Sequence, residues 1–599
     1  MAIAPGSDDI TVANGDQPCE LADDNVRDEK RIPARNRYKE QAEQSELFFG
    51  LIGATGTDLG MVELGLSDAL RVANYVPTSI RLSALIEEHY DVLRPTTEHE
   101  RIRQAMNLGN KMRELGNDAI ALLGALEIRR LREQYWTSNK TRLPLDTDPI
   151  EYPKIPIAKR AYIFRSLKHP KEVEILRQIY GDSFHLISAY ASRAQRKAAL
   201  EKRISESEIG NMRDRRTRKT NLLMRRDYIE ADLPNGQNVR DTFPLADLFV
   251  NADNKNECDK AIMRFVRLIF GDPQQTPTID EYCMFHAKGA ALRSGDLGRQ
   301  VGAIIASATG DVISHGTNEA PKGHGGQFWQ GDDPDGRGIA QKKDISDHRK
   351  RTLLIDLLQR LVANERITGI DESGIQNLAT EIFSEQRPRW MKSAEILELI
   401  GFYRSVHGET AAIINAARLG ISTKGHNLYV TAFPCHECAR HILAAGIERV
   451  IYVEPYPKSL AGEHYPESIA IDEQPTKDQI PFQQFVGIAP RTYMRFFEAL
   501  ERKNKDGSAI PWVPANCCVR YHHHWLAYTE KEAAFCSDFQ EELSRQSTIG
   551  GQLNDRTAQK EVLKGSAGAG DRGSQELADV ETAASKKSGL SSRADESDE

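Results

Sequence analysis

Short apolar runs alternate along this chain with longer charged stretches. Glu46 to Ile52 (ELFFGLI) predicts a strand, followed by the turn Gly53-Ala54-Thr55-Gly56-Thr57-Asp58 and a helix-like run. Ile163 to His169 (IFRSLKH) predicts a strand and turn, Phe184 to Tyr190 (FHLISAY) a second strand, and Asp247 to Val250 a last one. A basic helix is expected at Gln195 to Lys202 and a dense basic run at Arg213 to Arg226. Strands alternating with charged helices predict an α/β layer fold for residues 46–255.

A second block, residues 256–535, has its own pattern. Tyr282 to Arg293 (YCMFHAKGAALR) reads as an amphipathic helix broken by Ser294-Gly295-Asp296. Gln300 to Ala306 and Val312 to Gly316 read as a hairpin around Gly310-Asp311. Leu353 to Val362 (LLIDLLQRLV) and the run GETAAIINAAR after His407 read as helices. Asn427 to Ala432 (NLYVTA) reads as a buried strand. Residues 1–45 and 536–599 are polar, with little periodicity, and are expected to be disordered.

At 599 residues, with 40% hydrophobic and 28% charged side chains, two folded domains with tails are expected. No stretch approaches the roughly twenty apolar residues of a membrane span. The acidic N-terminus lacks the apolar region of a secretory signal. Eight cysteines are sparse for this length and fit a reducing cytoplasm better than a disulfide scaffold. The net charge of −8 argues against a general nucleic-acid binder.

The densest chemistry lies in His407-Gly408-Glu409 followed by Pro434-Cys435-His436-Glu437-Cys438. One imidazole and two thiolates can hold a zinc ion and leave its fourth position to water, with Glu409 beside that water. H-x-E with P-C-x-x-C is a signature of zinc nucleobase deamination, the replacement of an exocyclic amine by oxygen. Pro434 suits the first turn of a helix, on which Cys435 and Cys438, three apart, share a face. A closed zinc knuckle would need a fourth close ligand, which His436 or His441 could supply, and would leave Glu409 unexplained.

Other features are less specific. A glycine turn between strand and helix, here Gly53 to Asp58, presents free backbone N–H groups to an anion. The Walker pattern is not met, because Thr57-Asp58 stands where Lys-Ser is required. A regulatory nucleotide site, rather than phosphoryl transfer, or a purely structural turn, remains open. Arg193, Arg196, Arg215 and Arg216 would meet phosphates as a lid or form a solvated face. Asn318, in the loop Gly316 to Gly323, can read a sugar hydroxyl or form an Asx turn. Lys458 could approach a substrate phosphate or form a surface ion pair. Cys517, Cys518 and His522 to His524 form a metal-like tract, although adjacent cysteines diverge.

The runs ALRSGDLGRQVGAIIASATGDVISHGTNEAPKGHGG, HGETAAIINAA and YVTAFPCHECARHILAAGIERVIYVEPYPKSL resemble the deoxycytidylate deaminase family over about 280–460, with an insertion at about 330–400. The resemblance implies a cytidine deaminase-like α/β/α domain. It also implies zinc on His407, Cys435 and Cys438, proton transfer by Glu409, and substrate contact by Asn318. His-Gly-Glu stands where the family usually has His-Ala-Glu. The insertion carries no cysteine for a second structural zinc. The full layout, with GATGTDL and IFRSLKHPKEVEIL ahead of the deaminase block, is similar to bacterial anti-phage dCTP deaminases. That similarity implies a degenerate P-loop kinase-like N-terminal domain with a regulatory role. Its expected substrates are free deoxycytidine nucleotides, depleted against phage, in a cytoplasmic homo-oligomer held in check by a bound nucleotide or a separate inhibitor. A housekeeping dCMP deaminase, a nucleotide-sensing binding protein and a nucleic-acid editing deaminase are the alternatives.

Overall fold

In the computed structural model, the first apolar run folds as β1 (Leu47–Gly53), buried along its whole length. The structure describes residues 46–143, 147–208, 213–230, 235–342, 344–384, 387–391, 394–399, 401–455, 459–498, 501–514, 519–520 and 525–562. The chain divides into two units, Met1–Cys536 and Ser537–Glu599. After β1 come α1 (Leu59–Val72), β2 (Val76–Arg81), α2 (Ala119–Ser138), β3 (Arg160–Arg165) and β4 (Phe184–Tyr190). Next follow α3 (Arg193–Ser207), α4 (Arg213–Ile229), β5 (Leu248–Asn251) and α5 (Lys255–Ile269). The five strands are parallel, in the order β5-β4-β1-β3-β2. Central position explains the unbroken apolar sequence of β1, since a parallel strand covered on both faces has no polar side.

Strand β2 has no apolar run to announce it. Its sequence VPTSIR buries only Ile80 and leaves the other positions exposed or partly covered at the sheet edge, where a proline is tolerated. Helix α5 packs its apolar face, Cys258, Ile262, Phe265 and Ile269, into the same core as Leu59, Val62 and Leu66 of α1. The boundary expected at 255/256 thus falls at the first residue of a helix that packs with the first sheet.

The second sheet begins after α6 (Ile279–Leu292) with β6 (Gly302–Ala306) and β7 (Val312–Thr317), an antiparallel hairpin. The insertion contributes α7 (Ile345–Ala363) and a small core of its own around Leu354, Ile382 and Met391. Then come α8 (Gly408–Arg418), β8 (Asn427–Ala432), α9 (His436–Ala444), β9 (Arg449–Glu454), β10 (Ile469–Ile471) and β11 (Ile480–Gln484). Strand order is β10-β11-β9-β8-β6-β7, with β6 antiparallel to both neighbours and the strands from β8 to β10 parallel. A two-residue strand, β12 (Gly487–Ile488), returns to the first sheet and pairs antiparallel with β5.

The last helix, α10 (Trp525–Val562), continues well past residue 535, where a disordered tail was expected. In the first unit it places Tyr528 and Glu532, one turn apart, against buried Arg132 of α2 and Glu46. Arg132 pairs with both carboxylates, and Tyr180 donates to Glu532 at 2.6 Å. The segments 1–45 and 563–599 lie outside the described residues. No helix among the described residues is long and apolar enough to cross a membrane.

Candidate metal centre

Two helix starts meet at the second sheet. His407 is the residue before the first turn of α8, and Cys435 holds the equivalent place on α9. Cys435 is thus the cap rather than a member of the helix, and Pro434 precedes the cap instead of opening the first turn. The Cys435 Sγ accepts from the Cys438 amide at 3.5 Å. The start of α8 is fixed by close contact with β7. A Cβ on Gly316 would lie 2.2 Å from the Gly408 carbonyl oxygen and 2.3 Å from the Ala412 nitrogen, so only glycine lets the helix approach.

The ligand atoms of His407, Cys435 and Cys438 lie within 4.8 Å of one another. His407 Nδ1 is 3.4 Å from each sulfur. Zinc bond lengths in a tetrahedral site put N and S about 3.5 Å apart, so these three side chains fit the ion. Among the described residues no fourth His, Cys, Asp or Glu joins them. His436, weighed as a closing ligand, instead meets the ring of His464 at 5.2 Å.

The electrostatics suit a cation. A hydrogen bond from the Cys438 thiol brings the Cys435 thiol down to about 4, with His407 helping against burial. The same bond and burial push Cys438 well above the usual thiol range. Burial disfavours a charged His407 imidazole, yet its hydrogen bond to Cys435 and the charge of Glu409 raise it to about 9. A thiolate is therefore already stabilised, and helix N-termini favour the negative charge. Glu409, 4% exposed, is raised to about 6, chiefly by burial.

The Asn318 loop runs beside His407. Glu319 and Val406 exchange backbone hydrogen bonds, at 3.3 and 3.0 Å. The Asn318 amide is used internally: Oδ1 accepts from Val301 N at 2.8 Å, and Nδ2 donates to the Arg299 carbonyl. One amide hydrogen stays available. Glu319, which the sequence did not single out, is fully buried and accepts from Gly295 N at 2.8 Å and Ala320 N at 2.9 Å. It ties the loop to the break after α6. An acidic residue inside the G-T-N-E-A-P run was the signal available for it.

At the first sheet, the turn Gly53 to Asp58 joins β1 to α1. Asp58 caps α1, its carboxylate accepting from Met61 N at 3.1 Å. The Thr55 amide donates to Asp227 of α4 at 2.7 Å. Lys168 reaches the Gly53 carbonyl at 2.9 Å and Asp227 at 3.4 Å. Arg196 reaches the Thr55 carbonyl at 3.5 Å. Gly56 has φ +99°, and a Cβ there would meet the Arg196 carbonyl oxygen at 2.7 Å. An internal carboxylate thus takes the place offered to an anion. Lys458, Cys517, Cys518 and His522 to His524 lie outside the described residues.

Residues 277–454 match the family described as the cytidine and deoxycytidylate deaminase zinc-binding region. The chain thus carries a zinc-binding region of the deaminase type. Among individual proteins, it is 42% identical over 53 residues to the ComE operon protein 2 of Bacillus subtilis, covering 9% of this chain and 28% of that protein. It is 44% identical over 57 residues to the deoxycytidylate deaminase of enterobacteria phage T2, covering 10% and 30%. With the human deoxycytidylate deaminase it shares 33% over 91 residues, 15% and 48% of the two chains. The chain spans under half the length of each of these relatives. The dCMP deaminase of cyanophage S-TIM5 aligns over 35% of this chain and all of that one, at 16% identity and a TM-score of 0.18.

Proposed function

We propose that this protein is a zinc-dependent hydrolase that deaminates free deoxycytidine nucleotides, dCMP, dCTP or both, to the deoxyuridine nucleotides and ammonia. One observation carries the reading: a three-ligand site of one imidazole and two sulfurs with a buried glutamate two residues from the histidine. Zinc, when bound, supplies an activated water near neutral pH. Glu409 takes a proton from the attacking water and passes it to N3 of the cytosine as oxygen bonds to C4. Glu409 then takes the second proton from the new C4 hydroxyl and gives it to the exocyclic amine, so the C4–N bond breaks, ammonia leaves and the C4 carbonyl forms. Asn318 has one amide hydrogen left for a sugar hydroxyl. A nucleotide in solution needs no extrusion from a duplex, and the negative net charge disfavours a nucleic-acid substrate.

The names of the relatives support dCMP as one substrate. Depletion of the dCTP pool as anti-phage defence rests on the domain layout alone, with housekeeping supply of dUMP as its rival. The first sheet, with a glycine turn after its central strand, is proposed as a P-loop kinase-like regulatory domain. A nucleotide phosphate there would compete with Asp227 for the Thr55 amide. Restraint of the activity would come from such a nucleotide, from homo-oligomer contacts or from a separate inhibitor. The deciding experiment is an assay of zinc-loaded protein against dCMP, dCTP, CTP, deoxycytidine and single-stranded DNA, with products separated by chromatography. Uracil formed only in DNA, or in none of these, would overturn the proposal.

A further inference from the structure

The insertion between β7 and α8 returns to the metal ligands through residues 403–406. Tyr403 stands edge-on to His407, with ring centroids 5.3 Å apart. On its other contact, Lys350 of α7 places Nζ 5.6 Å from the Tyr403 ring centre. Lys350 is 4% exposed, and among the described residues its ammonium meets one carboxylate, Asp347, at 3.4 Å. Ser346, one turn earlier on α7, is 1% exposed, and its Oγ has no hydrogen-bond partner among the described residues. Ser346, Tyr403 and Arg404 line one cleft together with Asp296 and Asp344.

The two acids of this cleft are already engaged. Asp344 caps α7 through the amides of Ser346 and Asp347. Asp296 accepts from Ser405 Oγ at 2.6 Å and Gly298 N at 2.8 Å. The donors keep capacity: Lys350 gives one of its three N–H groups to Asp347 at 3.4 Å, and the buried Ser346 hydroxyl, without a partner among the described residues, is costly to leave so. Spare donors and a cation beside a cleft call for an anion. The cleft adjoins the ring of a metal ligand, so that anion belongs to a molecule whose other end reaches the metal.

Resting on the deamination reading above, we infer that Lys350, with Ser346, recognises the phosphate of the substrate and makes the insertion the element that selects nucleotides over nucleosides. Tyr403 lies between the phosphate end and His407, where the sugar and base would pass. The core of the insertion around Leu354, Ile382 and Met391 holds α7 in place for this contact.

The test uses the full-length, zinc-loaded protein with the variants Lys350→Met, which keeps the length and apolar stem, Lys350→Arg, which keeps the charge, and Ser346→Ala. Inorganic phosphate is titrated calorimetrically into each. The ratio of kcat/KM for dCMP to that for deoxycytidine is measured alongside. Lys350→Met should weaken phosphate binding and lower that ratio about ten- to a hundredfold, Ser346→Ala should do so to a lesser degree, and Lys350→Arg should retain most of both. Phosphate that binds wild type and Lys350→Met equally, or does not bind wild type, overturns the assignment. So does an equal loss for nucleotide and nucleoside, which marks a packing role. Should Lys350→Met fail to fold, Ser346→Ala carries the comparison. A wild-type protein that deaminates no cytosine compound overturns the functional reading instead, while the phosphate titration still decides Lys350.

Discussion

Glu409 is a carboxyl buried beside the three side chains proposed to hold zinc, and its proposed work is separable from theirs. Glu409→Gln keeps the shape and the ligands but cannot carry a proton. Zinc content and thermal midpoint should stay at wild-type values while deamination falls about 10² to 10⁴-fold. Near-normal turnover in a zinc-replete variant would remove Glu409 from the mechanism. Cys435→Ala or Cys438→Ala leaves two ligands, so zinc and activity should be lost together. Metal analysis gives the outcome directly, with one equivalent expected in wild type. Two equivalents in wild type would point to Cys517, Cys518 and His522 to His524.

At the scale of elements, the site depends on how closely two helix starts approach one sheet. Gly316→Ala would place a methyl within 2.2 Å of the Gly408 carbonyl oxygen. Overpacking of that kind costs about 1–3 kcal/mol, and the displacement falls on the residue after His407. The variant should unfold at lower temperature and bind less zinc, and unchanged zinc affinity would show that β7 does not position α8. The turn after β1 is the second such junction. Asp227→Asn removes the charge from the position next to the Thr55 amide while keeping an acceptor. If the turn is a regulatory phosphate site, nucleotide binding by the first sheet should strengthen, read by equilibrium titration with ATP and dCTP. Binding that is absent in both proteins would leave the turn as a structural junction. The sequence showed the turn plainly, through its glycines and the apolar strand before it. It could not show that Asp227, 172 positions from Thr55, fills it.

On the scale of the whole molecule, Arg132 joins the start of β1 to the C-terminal helix. It is fully buried between Glu46 and Glu532, and burial raises the Glu532 carboxyl above its usual range. Arg132→Met strands two carboxylates without a cation and should cost about 3–5 kcal/mol. Glu532→Gln keeps an acceptor for Tyr180 and leaves the remaining pair neutral, so it should cost clearly less. Chemical denaturation of both variants makes the comparison, and equal losses would mean that packing rather than charge holds the helix. The helix itself escaped sequence reading because its outer residues are polar, and its buried residues Tyr528, Glu532 and Cys536 gain meaning only against Arg132 and Tyr180.

The sequence by itself determined which residues are proposed for the centre. A histidine, a glutamate two residues on and a C-x-x-C pair are local patterns, and the geometry of a strand leading to a helix start fixes how each presents its ligand. Continuous apolar runs likewise announced the central strands, because burial on both faces leaves no polar side. Tertiary structure alone decided what meets across long separations. It brought His407 to within 3.4 Å of two sulfurs, seated Asp227 in the glycine turn, laid Lys350 against Tyr403 and closed Arg132 on Glu532. Such contacts have no local signature. They arise when whole elements pack, and a charged residue on a helix reads the same in sequence whether it ends in solvent or against a buried partner.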